Sequence, residues 1–141
     1  MTTLHASLRY RLLVVAALVA GTLLGLGLDR AVFAQQAGMK RTILTRADDP
    51  GAATYEAVMG IAELPAGVSS GKHRHYGIEL GYVLEGTVVV EHEGHEPLTR
   101  TAGETFVNDG VHNARNTGAG TAKILAVYVV EKGKPLAEPV K

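Results

Sequence analysis

The sequence predicts an all-β fold, an antiparallel sandwich or barrel, behind one apolar N-terminal segment. Three observations predict it. No segment after residue 35 shows a helical period. Turn signals recur about every eight to twelve residues. Seventeen glycines sit in a chain that is 46% hydrophobic, a composition that suits short strands joined by tight turns. A length of 141 residues fits one domain, and no solenoid-type repeat is present.

The elements follow in order. Arg9 and Arg11 precede an uncharged apolar stretch, Leu12 to Leu28, followed by "DRAVFAQQ". A basic start, an apolar run and small residues at Val32 and Ala34 predict a secretory signal over residues 1–34, cut after Ala34. The stretch is long for a cleaved signal and short for a membrane span. An uncleaved anchor through residues 12–28 is therefore the alternative. Either way residues 35–141 are expected outside the cytoplasm, periplasmic or extracellular, with any membrane contact confined to the N-terminal segment. Arg9-Tyr10-Arg11 is not a twin-arginine pair, so export is expected to precede folding and metal uptake.

In the mature part, Gly38 to Ala53 reads as a lead-in strand and a turn. Tyr55 to Leu64 is a strand ended by Pro65 and Gly67. Two strands flank a tight turn at Glu85-Gly86, and two shorter ones flank Ala102-Gly103. Ala122 to Gly133 carries the strongest strand, apolar on both faces. The spare apolar face predicts cover by the lead-in strand or by a second subunit, hence a homodimer. The tail "KPLAEPVK" is expected to be loose.

Composition also excludes chemistry. Lys and Arg number 14, as do Asp and Glu. Loss of residues 1–34 would leave a mild negative balance. That gives no electrostatic reason to expect nucleic acid. There is no cysteine, so disulfides, thiolate nucleophiles and cysteine-based metal sites are out. Any metal must be held by nitrogen and oxygen.

Six histidines are present, and His73 and His75 stand one residue apart in "GKHRHYGIELGYVLEG". In an extended chain they share a face, while Lys72 and Arg74 point away. Gly77 allows a bend. Glu79 begins the next strand, with Gly81 leaving room beside it. Two imidazoles and a carboxylate facing into a small barrel suit a divalent cation, and His112 in "NDGVHNARN" is the candidate third imidazole. Octahedral coordination by such a set leaves two positions open for water, oxygen or substrate. "EHEGHE", with His92 and His95, reads as a solvated hairpin tip. Asn116 reads as a structural hydrogen-bonder.

The spacing resembles the first cupin motif, Gly67, five residues, His73-Arg74-His75, three residues, Glu79, six residues, Gly86. "AGETFVNDGVHNARN" resembles the second, with Gly103, His112 and Asn116 in place. The usual proline before His112 is absent, and the loop is one residue short. The resemblance covers about residues 41–131. It implies a double-stranded β-helix barrel, with His73, His75, Glu79 and His112 as ligands of one divalent transition metal. Iron or manganese is favoured by the donor set, with nickel, copper or zinc as alternatives. The implied function is a small-molecule oxidoreductase of dioxygenase type. A non-redox isomerase or lyase and a non-catalytic binding protein are the alternatives. Glu79 or Tyr128 could move a proton. No basic side chain lands clearly on the inner face, which favours a neutral or aromatic organic ligand.

Overall fold

The computed structural model describes residues 38–141. The expected signal over residues 1–34 lies outside them. Among the described residues every regular element is a strand. They are β1 (Lys40–Asp48), β2 (Tyr55–Leu64), β3 (His73–Arg74), β4 (Gly77–Glu85), β5 (Thr87–His92), β6 (Leu98–Thr101), β7 (Thr105–Asn108), β8 (His112–Asn116), β9 (Ala122–Glu131) and β10 (Glu138–Pro139). They form two five-stranded sheets, in the orders β1-β2-β9-β4-β7 and β10-β3-β8-β5-β6. All pairings are antiparallel. This is the predicted all-β double-stranded β-helix.

Period-two alternation sets the core. On β9, Ala122, Ile124, Ala126, Tyr128 and Val130 are buried, while the residues between them are half-buried. β2, whose two faces are both partly apolar in sequence, turns Val58, Ala62 and Leu64 inward. Val83, Val88, Val90 and Phe106 close the core from the remaining strands. Burying a Val or Leu side chain contributes about 1.5–3 kcal/mol, so this layer is the main source of the barrel's stability.

Two glycines fix close approaches. Gly77 has φ +154°, and a Cβ there would lie 2.0 Å from the Val129 carbonyl oxygen. β4 can pass this close to β9 only without a side chain. At Gly81 a Cβ would lie 2.1 Å from Phe106 Cζ. The room expected beside Glu79 is therefore filled by the Phe106 ring.

Two expectations are corrected. The tail is not loose: Leu136 is 3% exposed, and Glu138–Pro139 pairs with His73–Arg74 as β10. One apolar side chain and two residues of ladder suffice to dock it. The lead-in strand does not cover β9 either. β1 extends the sheet edge-on beside β2, because its backbone groups pair there along most of the strand.

Candidate metal centre

Strand register brings the site together in two facing rows. Directly opposed residues of antiparallel strands share a face. Glu79 pairs with Asn108 on one side and with Tyr128 on the other. Across the barrel, His112 pairs with His73 and with His92. His75 follows β3 and turns inward, 8% exposed. The loop of Asp109, Gly110 and Val111 joins β7 to β8, and despite its shortness it delivers His112 to the row.

His73, His75 and His112 are buried, with ligand nitrogens within 4.8 Å of one another. Ring centroids are 5.0 Å apart for His73–His75, 4.3 Å for His73–His112 and 5.0 Å for His75–His112. Glu79 Oε2 lies 3.1 Å from His75 Nε2 and 3.4 Å from His112 Nε2. The four residues singled out in sequence are thus brought to one place.

The rings are oriented by backbone carbonyls. His73 Nδ1 is 2.8 Å from the Gly71 oxygen, and His112 Nδ1 is 2.8 Å from the Gly110 oxygen. His75 Nδ1 contacts the Leu136 oxygen. A carbonyl can only accept, so each Nδ1 must carry the hydrogen and donate. A neutral ring in that tautomer turns an unprotonated Nε2 inward. Three such nitrogens and a carboxylate oxygen then converge with no hydrogen between them. His112 Nε2 is buried and has no hydrogen-bond partner. This arrangement is electrostatically unfavourable unless a cation joins it, so the residues fit a metal ion. The three histidines could hold one.

Electrostatics agree. Burial, and then the neighbouring His112 imidazole, lower His73 from 6.5 to about 4. Burial alone would raise Glu79. Without a metal, an Nε2 hydrogen on His112 or His75, together with the Asn108 amide, favours its charged form and outweighs that, holding the carboxyl well below its usual range; a cation would take the place of that hydrogen. Glu79 is thus a better ligand than a proton carrier. Burial, followed by the charge of Glu79, raises Tyr128. Its hydroxyl has no partner among the buried polar groups.

Several contributors have no signature in the sequence reading. Asn108 Nδ2 donates to Glu79 Oε2 at 2.6 Å, and Asn108 Oδ1 accepts from His92 Nε2 at 2.8 Å. His92 is therefore more than a turn residue; it reaches inside and braces the Asn108 amide, while His95 stays exposed. Asn108 shares β7's inward face with Phe106, a signal readable from alternation. The Gly-x-His spacing at Gly71 and Gly110 is a second readable signal. Asn116 is structural, donating to the Leu64 and Gly120 oxygens at 2.8 and 2.7 Å. Ser70 Oγ accepts from the Ala114 amide at 2.9 Å, tying the loop before His73 to β8.

A cavity of about 20 Å³ remains beside the cluster, bordered by His73, Glu79, Asn108, His112, Tyr128 and Arg41. It has room for about one water molecule. Arg41 corrects the expectation that no basic side chain faces inward. It pairs with buried Ala62, and cross-strand partners share a face.

Residues 60–128 match the family described as the Cupin domain. Solved structures agree with the fold. An uncharacterized conserved protein with a double-stranded beta-helix domain from Klebsiella pneumoniae superposes with a TM-score of 0.57 at 20% identity, over 71% of this chain and 84% of that one. A predicted oxalate decarboxylase from Thermotoga maritima gives 0.54 at 26% identity, over 66% and 80%. A cupin superfamily protein from Desulfitobacterium hafniense gives 0.53 at 15% identity, over 66% and 78%. No curated protein matches the chain. The match over residues 60–128 supports a cupin reading of that segment, and the solved neighbours share its double-stranded β-helix fold.

Proposed function

We propose that the chain is an exported metal-dependent enzyme, an oxidoreductase of dioxygenase type acting on a small organic molecule at a His73, His75, His112 and Glu79 centre. One observation carries the reading: all three Nδ1 atoms are committed to backbone carbonyls, which leaves three Nε2 atoms and a carboxylate converging. A bound metal would supply Lewis acidity or redox chemistry at positions left open by these ligands. Nitrogen and oxygen donors favour iron or manganese, with nickel, copper or zinc as alternatives. Asn108 holds the Glu79 carboxylate in place, and the buried barrel wall excludes bulk water. The apolar stretch after Arg9 and Arg11 supports export.

The test is elemental analysis of protein purified from its native compartment, followed by oxygen uptake with phenolic and diketone compounds. Stoichiometric redox metal and substrate-dependent uptake are expected. Turnover with zinc and no oxygen uptake would favour a second reading, a non-redox lyase or isomerase. That reading has its own observation: the buried, unpartnered Tyr128 hydroxyl keeps its proton and faces the cavity. The likeness to a predicted oxalate decarboxylase adds to it.

The proposal includes a homodimer. Ile78, Leu80, Tyr82, Leu84 and Val107 are 39–51% exposed on the outer face of one sheet, and β1 does not lie over them. A monomeric mass in light scattering would refute it.

A further inference from the structure

The cavity beside the cluster has an uneven lining. Eleven of the residues bordering it are buried, and only Met39 and Arg41 are partly exposed. Its way to solvent therefore runs past the start of β1. Arg41 sits in that mouth with its Nε buried and without a hydrogen-bond partner. None of the ion pairs among the described residues involves it. Its guanidinium lies 5.9 Å from the centre of the Tyr128 ring. The Tyr128 hydroxyl, fully buried on the same cavity, also has no partner.

Two unpaired polar groups at the mouth of a space with room for about one water call for a polar end group reaching in from solvent, with the rest of its molecule left outside. A buried donor left unmade is costly. Both groups offer hydrogens, and one is a cation. Their complement is an acceptor that is negatively charged and small. A guanidinium fork matches a carboxylate in shape as well as charge. We infer that Arg41 and the Tyr128 hydroxyl form a carboxylate-binding subsite beside the histidine cluster, so the substrate is a small organic acid entering past β1. This deepens the proposed function and rests on it for what happens to the bound acid. The binding claim itself needs only Arg41 and Tyr128. The inward Arg41 also removes the ground for expecting a neutral ligand.

The experiment titrates acetate and malonate, with acetamide and malonamide as neutral counterparts, into metal-loaded and metal-free protein by calorimetry. Inorganic phosphate is a further probe. Wild type is compared with Arg41→Met, Arg41→Lys and Tyr128→Phe, with metal content and circular dichroism recorded for each. An acid should bind wild type and its amide should not. Affinity should fall roughly 10- to 100-fold in Arg41→Met, less in Arg41→Lys and less in Tyr128→Phe, with metal content unchanged. The subsite is refuted if neither acid binds folded wild type, if amides bind as well as acids, if phosphate alone binds, or if Arg41→Met binds like wild type. Protein that never holds metal would sink the metal centre instead. Loss of acid binding in metal-free Arg41→Met would still support the subsite.

Discussion

Two kinds of bracing orient the histidines, and they differ in reach. His73 and His112 each bond a carbonyl two residues upstream, at Gly71 and Gly110. Their orientation is a local property of a tight turn. His75 bonds the carbonyl of Leu136, 61 residues away, on a tail that docks through two residues of β10. The first pair should keep its geometry as long as the strands exist. The third histidine depends on a segment with few contacts of its own, the kind of element that opens well below global unfolding. A metal held by these histidines would have two firm ligands and one that can be released.

Removing the tail should separate the two modes. Deletion of Leu136 to Lys141 takes away the Nδ1 acceptor of His75 and leaves those of His73 and His112. Loss of such an outer partner typically costs 10- to 100-fold in metal affinity, and that is the range expected from competition with a chelator. The His73→Ala/His75→Ala double variant sets the upper limit, with no stoichiometric metal. If the truncated protein binds metal like the full chain, the carbonyl of Leu136 does not orient His75. Leu136→Ala keeps the carbonyl and loses the buried side chain. It should lower stability by about 2–5 kcal/mol, measured by urea unfolding, with a smaller effect on affinity.

Acidification comes next. His73 takes up a proton at about 4 in the folded protein against 6.5 in the unfolded chain. Between those values the unfolded state binds more protons, so metal-free stability falls as pH drops through this window. The full effect of the shift is about 3 kcal/mol. Glu79, depressed in the folded state, acts in the same direction, its contribution being lost as pH falls below the ordinary carboxylate range. Unfolding free energies from pH 7 to pH 4 should slope accordingly in the wild type. His73→Gln should flatten the upper part of that slope, and an unchanged slope would remove His73 as its source.

The same contrast explains what was legible in the sequence. β2 and β9 were readable as strands because each is a long apolar run bounded by glycine or proline, although neither run shows which face turns inward. The four clustered residues were readable because their spacing places them on strand faces. The tail was not: "KPLAEPVK" has no alternation, and its contribution to His75 is a backbone oxygen, which no side-chain pattern records. Arg41 was hidden for another reason. Its facing is set by the pairing of β1 with β2, and register between two strands with apolar residues on both faces is not written in either strand alone. Gly81 was read correctly as space, but its occupant, Phe106, comes from the opposing strand β7.

The local bracing has its own, smaller test. Gly71 has φ +74°, whereas Gly110 is not among the positive-φ glycines, and neither would give a new Cβ a neighbour within 4 Å. Gly71→Ala should therefore cost about 1 kcal/mol from backbone conformation alone, and Gly110→Ala about 0.5 kcal/mol or less.

The smallest effect is expected at the surface tie of the tail. Arg74 Nε donates to Glu138 Oε2 at 2.6 Å, and the Tyr76 hydroxyl donates to Glu138 Oε1 at 2.8 Å. These groups are solvated, and exposed ion pairs of this kind contribute little and are screened by salt. Glu138→Gln should barely move the unfolding midpoint or the metal affinity, and what it does move should vanish at high salt. The tail would then be held by Leu136 and the β10 ladder, with the side-chain pair only trimming its edge. Suppose instead that Glu138→Gln lowers metal affinity as far as the truncation does. The tail would then be held by charge, and His75 would be released by ionic strength rather than by local opening of the barrel.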